Sequence, residues 1–210
     1  VATAGPHLEA YIAGLGSGAA NRSAKVHLKI ANADVGGGTT NISVFDDGKG
    51  RTTICADIGG RLVRFVPRTT TVESFIRGGR IIAQTCNIRL EKNRSLATDE
   101  IFKMGDCLAE ALVSILKGNP SSTAKALAIG ELVTGGLSLD EVMFSGGVGR
   151  LIYEEETTLD IKSLMRYGDL GPVVAICLRK RLSGLGAKLV KPDETIYATV
   201  IGAGIHTTEL

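Results

Sequence analysis

The sequence has few aromatic residues and lacks several common signatures of metal and redox sites. Aromatic side chains make up 4% of the 210 residues, and tryptophan is absent. The core must therefore be built from aliphatic side chains, which a chain that is 44% hydrophobic supplies. The four cysteines form no CxxC pair, and the three histidines are far apart. This disfavours a metal site made of nitrogen and sulfur ligands, and we expect buried free thiols.

Charge and hydropathy disfavour two further classes of protein. The net charge is +2, without the clustered basic face that nucleic-acid binding requires. The sequence contains no run of 18 apolar residues, and no basic and apolar leader opens it. We therefore expect a cytoplasmic protein that binds neither nucleic acid nor membranes.

Glycine, by contrast, is abundant, with 27 residues where average usage of about 7% predicts roughly 15. One stretch, NADVGGGTTNISVF, places Asp34 at the end of an apolar strand, followed by Gly36–Gly38, Thr39 and Thr40. Glycines allow a tight turn whose N–H groups point at an anion, and threonine hydroxyls add donors. Asp34 would repel a phosphate unless a cation lies between them, so it suits Mg²⁺ held through a water. The stretch has no GxxxxGK[ST] pattern, and an ordinary glycine-rich β-hairpin remains an alternative.

Two more glycine stretches follow predicted strands, FSGGVG at residues 144–149 and VIGAG at residues 200–204. In open α/β sheets, ligands collect at the carboxyl ends of strands. Each stretch taken alone is equally compatible with a plain turn. Three such turns in this order are more specific than any one of them.

Hydrophobic periodicity predicts an antiparallel meander followed by alternating helices and strands. The predicted strands cover residues 26–30, 41–45, 52–58, 141–144 and 194–201. The predicted helices cover residues 98–117, with Thr98 as the cap, 124–133 and 169–182. Residues 14–23 are predicted as a loop, and residues 61–95 as a small mixed region of strand and helix.

The glycine motifs resemble those of the actin, Hsp70 and sugar kinase ATPase superfamily. The stretch DVGGGTTNISVF resembles the second phosphate-binding hairpin of that superfamily. The stretch FSGGVG resembles its adenosine motif, and TVIGAG resembles its second connecting segment. A narrower resemblance, to the reactivating factors of ethanolamine ammonia-lyase, rests on further stretches. These are DIGGRLVRF, FIRGGRIIAQ, VMFSGGVGRLIYEE, DLGPVVA and ETIYATVIGAGIHTTEL.

The resemblance implies an α/β fold, an actin-like (ribonuclease H-like) lobe with a mixed sheet, a β-meander and flanking helices. It divides the chain into residues 1–25, a nucleotide-binding part at 26–60 and 97–210, and a small inserted subdomain at 61–96. The implied function is that of an ATP-dependent, chaperone-like factor of ethanolamine catabolism. Such a factor releases damaged cobalamin from ethanolamine ammonia-lyase, in the cytoplasm or in association with a bacterial microcompartment.

The resemblance also implies the roles of individual residues, with ATP or ADP and Mg²⁺ as cofactors. Gly36, Gly37, Gly38, Thr39 and Thr40 would bind the phosphates. Asp34 would be the catalytic residue and would hold Mg²⁺ through a water. Gly146, Gly147 and Val148 would bind the adenosine.

The chain departs from the superfamily in one respect, since only one phosphate hairpin is present where two lobes would supply two. We therefore expect the second lobe of a longer protein, with little hydrolysis of ATP by this chain alone. Two alternatives remain open, a small-molecule kinase of the same superfamily and a non-enzymatic interaction module. The interaction module would have a contact surface made of five arginines, although these residues could equally form a solvated face. They are Arg61, Arg64, Arg68, Arg77 and Arg80.

Overall fold

The computed structural model describes residues 5–154 and 160–208, which form a mixed sheet with helices on both faces. The strands are β1 (Lys29–Val35), β2 (Thr40–Asp46), β3 (Lys49–Ala56), β4 (Val63–Phe65), β5 (Val72–Phe75), β6 (Ala128–Ile129), β7 (Glu141–Ser145) and β8 (Lys188–Leu189). The helices are α1 (Pro6–Gly16), α2 (Ala19–Val26), α3 (Arg77–Thr85), α4 (Thr98–Leu116), α5 (Ser122–Leu127), α6 (Gly146–Leu151), α7 (Ile161–Leu164), α8 (Gly171–Leu182) and α9 (Ala198–Thr208). Among these helices, none is both long and apolar enough to cross a membrane.

The main sheet has six strands in the order β6-β3-β2-β1-β7-β8, and β4 and β5 form a separate two-stranded sheet. Strands β1, β2 and β3 form the predicted antiparallel meander, whereas β1 pairs with β7 in parallel. This confirms the predicted mixed α/β class. Because parallel strands end at the same edge of a sheet, Asp34 of β1 lies beside Ser145 of β7.

The two faces of this sheet differ in chemistry because side chains alternate along each strand. One face carries small and aliphatic residues, such as Ala31, Ala33 and Ile42, in one buried cluster with α4 and α8. The opposite face carries Asn32 and Asp34 and is covered by α1, α2 and α9. The polar face therefore holds the groups from which a site can be built.

Helix α4 forms as predicted, with one apolar face turned into the core. Its apolar stripe is entirely buried and comprises Ile101, Met104, Leu108, Leu112 and Ile115. Each such side chain contributes about 1.5–3 kcal/mol when fully buried. The cap differs from the prediction, because Ala97 precedes the helix and its N–H donates to the Glu100 carboxylate.

The predicted loop at residues 14–23 is wrong, because helices cover most of it. The strand predicted at residues 26–30 starts later than expected. Helix α1 extends to Gly16, helix α2 ends at Val26, and β1 begins only at Lys29. Left-handed backbone conformations at Gly18 and His27 delimit α2. A short alanine-rich segment between such breaks favours a helix over a loop.

The predicted strand at residues 194–201 is also wrong, because the chain forms helix α9 from Ala198. The Glu194 carboxylate accepts hydrogen bonds from the N–H groups of Thr195, Ile196 and Tyr197 just before this helix. Packing against α1 then overrides the strand preference of the threonine and valine residues. The third glycine stretch is therefore part of a helix instead of a turn after a strand.

The helix predicted at residues 124–133 is shorter than expected. Helix α5 ends at Leu127, and the chain then pairs Ala128 and Ile129 with β3. The adjacent prediction of a helix over residues 169–182 is confirmed by α8.

The region of residues 61–95 contains both predicted element types, the β4–β5 pair and helix α3. Its apolar side chains, among them Leu62, Phe65 and Val72, are buried in the same cluster as those of α4. A division at residues 61–96 into an inserted subdomain stays a prediction.

Three of the four cysteines, Cys55, Cys86 and Cys177, are buried as free thiols, and Cys107 is half-buried. The Cys86 thiol donates a hydrogen bond to the Cys107 sulfur over 3.0 Å. Burial raises the pKa of the Cys55 thiol to about 11, so this thiol stays protonated at neutral pH.

Candidate functional site

The first two glycine stretches meet in one cleft, although more than a hundred residues separate them. The cleft has a volume of about 340 Å³ and is lined by Gly36 and Gly37 on one side and by Gly147 and Val148 on the other. The parallel pairing of β1 with β7 brings them together, because the turn at Gly36 follows β1 and helix α6, which begins at Gly146, follows β7. Gly38, Thr39 and Gly146 lie next to the cleft lining in sequence.

Close backbone packing fixes the turn between β1 and β2. The Gly36 N–H donates to the Thr39 carbonyl, and the Gly60 N–H donates to the Gly36 carbonyl over 3.1 Å. A Cβ atom on Gly59 would lie 2.5 Å from the Gly37 carbonyl oxygen, so only glycine permits this approach. The turn is therefore held rigidly by a second glycine pair that the phosphate motif itself does not contain.

Asp34 is half-buried at the end of β1, and both of its carboxylate oxygens accept hydrogen bonds. The Ser145 hydroxyl donates to Oδ1 over 3.0 Å, and the Thr199 hydroxyl donates to Oδ2 over 3.1 Å. The Asn32 amide donates in turn to the Ser145 oxygen. Burial raises the pKa of Asp34, and the two hydroxyl donors offset part of this effect.

Gly146 is required beside this carboxylate. Its φ is +84°, and a Cβ atom would lie 2.6 Å from Asp34 Oδ1 and 2.5 Å from the Val35 carbonyl oxygen. A residue with a side chain would therefore displace Asp34 and strain the backbone at the start of α6. The glycine at position 146 therefore leaves room for Asp34, and its predicted contact with adenosine stays a prediction.

The other two residues predicted to bind adenosine differ from each other. A Cβ atom on Gly147 would meet no atom within 4 Å, so this backbone faces open space in the cleft. Val148 is buried and packs near Gly60 and Gly171. Gly147 thus offers bare backbone to the cleft and Val148 adds an apolar side chain to its lining, and their contact with adenosine stays a prediction.

The two threonines of the motif also differ in what they can offer. The Thr40 side chain is buried, and its hydroxyl donates to the Ile58 carbonyl over 2.7 Å. Thr39 is half-buried at the turn, and its carbonyl accepts the Gly36 N–H. Thr40 therefore ties the meander together in this structure, and its proposed phosphate contact would require that bond to break.

The polar face around Asp34 suits a hard cation. Among the described residues, no three histidine, cysteine, aspartate or glutamate side chains are grouped so that they could hold a metal ion together. Asn32 Oδ1 and Asn41 Oδ1, on the same face as Asp34, are buried acceptors without a hydrogen-bond partner. Mg²⁺ prefers oxygen ligands and keeps several waters, so one carboxylate with neighbouring amide oxygens fits such an ion.

Sequence reasoning missed Arg150, Tyr167 and Asp169, which also line the cleft, and it named Arg61 only as part of a contact surface. The Asp169 carboxylate is buried, and its Oδ1 accepts the Gly171 N–H over 2.8 Å. Burial raises the pKa of Asp169, while the N–H bond and the nearby Arg61 charge act in the opposite direction. A buried carboxylate in a cleft is a recognised sign of a functional site. The sequence pattern around Asp169 does not predict that it lies in the cleft.

The arginines of residues 61–80 do not share a single environment. Arg77 pairs with Asp57 over 2.5 Å, Arg64 lies 3.5 Å from Glu73, and Arg80 stacks on the Phe75 ring. Of these four arginines, only Arg61 lines the cleft. The predicted contact surface is thus divided between local pairs and the cleft wall.

Comparison with known proteins assigns the chain to a family. The model of the family described as "Ethanolamine utilisation protein EutA" matches residues 1–210. The chain belongs to this family. Two curated relatives share this assignment, both named ethanolamine ammonia-lyase reactivase EutA.

The relative from Escherichia coli (strain K12) is 34% identical over 212 residues, and that from Salmonella typhimurium (strain LT2) is 33% identical over 212 residues. Each alignment covers 100% of the chain and 44% of the relative. The chain therefore spans less than half the length of the curated relatives that it matches.

Among solved structures, the chain is similar to a Bacillus thuringiensis ParM determined with ATP. The identity is 14%, the TM-score is 0.39, and the match covers 87% of the chain and 47% of the ParM. A TM-score this low carries no argument about function. The family assignment therefore rests on the sequence comparisons alone.

Proposed function

We propose that the chain is the nucleotide-binding lobe of an ATP-dependent reactivating factor. This factor would act on ethanolamine ammonia-lyase and drive the release of damaged cobalamin from it. The observation that carries the proposal is the cleft, which is lined by the glycine turn after Asp34 and by the glycine-rich start of helix α6 at Gly147. Family membership supports the choice of partner, because both curated relatives are named for this enzyme.

Each wall of the cleft would take a different part of the nucleotide. The N–H groups of Gly37 and Gly38 would donate to the outer phosphates, since that of Gly36 is bonded to Thr39, and the attachment of the turn to Gly59 and Gly60 keeps them oriented. The bare backbone at Gly147 accommodates the adenine or ribose. Asp34 would hold Mg²⁺ through a water, and the ion would supply charge neutralisation for the phosphates.

Hydrolysis requires more than this lobe contributes. Phosphoryl transfer depends on positioning and on neutralising charge from several sides of the transferred group. The chain supplies one phosphate turn and one carboxylate at the strand ends. We therefore propose that it binds nucleotide weakly by itself and reaches full activity only within a polypeptide of its relatives' length.

The proposal predicts that Asp34→Ala lowers both nucleotide binding and cobalamin release. We expect the affinity for Mg-ATP, measured by calorimetry, to fall about tenfold or more, because hydrogen bonds to a charged group contribute about 1.5–3 kcal/mol. Within the complete polypeptide, the same change should abolish ATP-dependent release of cyanocobalamin from inactivated ethanolamine ammonia-lyase, measured by its absorbance after filtration.

Asp47→Ala is the matched control. Asp47 is an exposed carboxylate on the β2–β3 turn, where it pairs with His27 away from the cleft. Its removal should leave binding and release unchanged. Equal binding of Mg-ATP by wild type and Asp34→Ala would refute the role of Asp34, and no ATP-dependent release by the wild type would refute the reactivating function.

A further inference from the structure

Two cationic side chains line the cleft in the described part of the chain, and they differ in how closely neighbouring side chains bind them. Arg150 is held by Glu154, with 2.7 Å between Nη1 and Oε1, and it donates to the Tyr167 hydroxyl over 3.3 Å. Arg61 has a side chain that is 70% exposed, with its Nε 3.7 Å from Asp169 Oδ2. That distance exceeds a normal hydrogen bond, so the Arg61 guanidinium retains most of its binding capacity.

Arg61 is nevertheless placed accurately over the phosphate turn. Its backbone N–H donates to the Gly37 carbonyl over 2.5 Å. A Cβ atom on Gly37 would lie 3.0 Å from Arg61 Cδ and 3.3 Å from Cγ, so the aliphatic stem covers this glycine closely. Main chain and stem together therefore hold the guanidinium at the phosphate side of the cleft.

We propose that Arg61 is a phosphate-binding residue that exchanges its loose contact with Asp169 for a phosphate group of a nucleoside di- or triphosphate. This inference rests on the proposed function and deepens it. The glycine turn supplies N–H donors without any positive charge, whereas a di- or triphosphate carries several negative charges. The planar guanidinium matches phosphate geometry with paired donors, which an ammonium group does not.

The exchange is favourable because little is lost at Asp169. An ion pair with one exposed partner at this distance contributes little to stability. Asp169 also keeps its hydrogen bond from the Gly171 N–H when Arg61 moves away. Asp169 thus acts as a resting contact that keeps the arginine within the cleft before nucleotide arrives.

The test compares ligands that differ only in phosphate content. Calorimetry with ADP, Mg-ATP and adenosine should show that Arg61→Gln lowers the affinity for ADP and Mg-ATP about 10- to 100-fold and leaves that for adenosine unchanged. Arg61→Lys should recover part of the loss, since it restores the charge without the paired donors. Arg51→Gln is the matched control, because the Arg51 side chain is 53% exposed and lies near Asp46 of β2, outside the cleft lining.

Asp169→Asn gives an independent arm. The asparagine oxygen can still accept the Gly171 N–H, but the competing negative charge is gone, so the affinity for Mg-ATP should stay equal or rise a few-fold. A fall in affinity for Mg-ATP in Asp169→Asn would overturn the exchange.

Failure of this inference is distinguishable from failure of the proposed function. Absence of ADP and Mg-ATP binding by the wild-type chain would overturn the proposed function itself. Binding by the wild type that persists unchanged in Arg61→Gln, or an equal loss of adenosine binding in that variant, would overturn the role of Arg61. If Arg61→Gln does not fold, as judged from its melting curve, the ADP-to-adenosine affinity ratio of Arg61→Lys decides.

Discussion

At the scale of single residues, Asp34 carries a charge that its buried environment disfavours. It lies at the buried end of β1, and burial raises its pKa above that of an ordinary aspartate despite the hydroxyl donors Ser145 and Thr199. A carboxylate with a raised pKa in the folded state stabilises the fold only while it is protonated. Its contribution is therefore present at low pH and is lost as the pH rises through the raised value.

We predict that Asp34→Asn stabilises the chain at neutral pH. The melting temperature at about pH 7.5 should rise by roughly 2–4 °C, which corresponds to about 1 kcal/mol for a chain of this size. The gain should be smaller at about pH 4, because the raised pKa leaves more of the wild-type carboxyl group protonated there than at neutral pH. Melting curves of both proteins at the two pH values measure this difference.

Comparing the two proteins at each pH separates Asp34 from other titrating groups. Glu141, for example, has a lowered pKa because Arg22 donates two hydrogen bonds to it, and it acts in the opposite sense with pH. That contribution is the same in both proteins and cancels. A stability gain that did not grow between the acidic and the neutral pH would contradict the assignment.

At the scale of elements, the crossing of α1 and α9 depends on glycines at the contact. A Cβ atom on Gly202 of α9 would lie 1.8 Å from the Ile12 carbonyl oxygen, and one on Gly16 of α1 would lie 1.7 Å from the Ala198 carbonyl oxygen. Backbone atoms cannot move aside as side chains do. The two helices therefore approach each other only because both positions lack a side chain.

We predict that Gly202→Ala destabilises the chain by about 2–3 kcal/mol, at the upper end of the cost of overpacking. Urea denaturation followed by circular dichroism measures the change. Gly204→Ala is the matched control in the same helix, since a Cβ atom there would meet no atom within 4 Å. That variant should be neutral or more stable by up to about 1 kcal/mol, because alanine favours helix.

Equal effects of the two substitutions would show that α9 does not pack on α1 as described. The contact also matters for the candidate site, because Thr199 on α9 donates to Asp34. A weakened crossing should therefore loosen the hydrogen bonding of Asp34 as well as the helix pair.

At the scale of the whole molecule, one apolar cluster connects regions that the sequence suggested as separate units. Residues from 61–96, such as Val63 and Ile82, are buried together with Met104 of α4 and Val174 of α8. Separate units would each need an apolar core of their own. The shared cluster argues for one cooperative structure in the described part of the chain.

We predict a single unfolding transition, with coincident midpoints by circular dichroism and calorimetry. The free energies of opening that hydrogen exchange measures for β4 and β5 should be close to that of α4, since these elements unfold in the same event. Two resolved transitions, or early exchange confined to residues 61–96, would instead support an inserted subdomain.

The sequence determined most of what depends on local pattern. The sequence predicts strands β2 and β7 and helices α4 and α8 from periodicity and turn residues, because their preferences agree with their final surroundings. The glycine turn at Gly36–Gly38 was also identified from sequence, whereas the glycines at Gly146–Gly147 proved to be the start of helix α6. Helix α9 was mistaken for a strand because its valine and threonine residues favour strands until α1 packs against it.

Only the tertiary structure decided how the candidate site is assembled. Ser145 and Thr199 contact Asp34 from 111 and 165 residues away, and Arg61 meets Asp169 through a loop whose packing depends on Gly59 and Gly60. Such contacts follow from the parallel pairing of β1 with β7 and from the crossing of α1 with α9. Local composition carries no record of these distant pairings, because their free energy comes from burial shared between segments far apart in the chain.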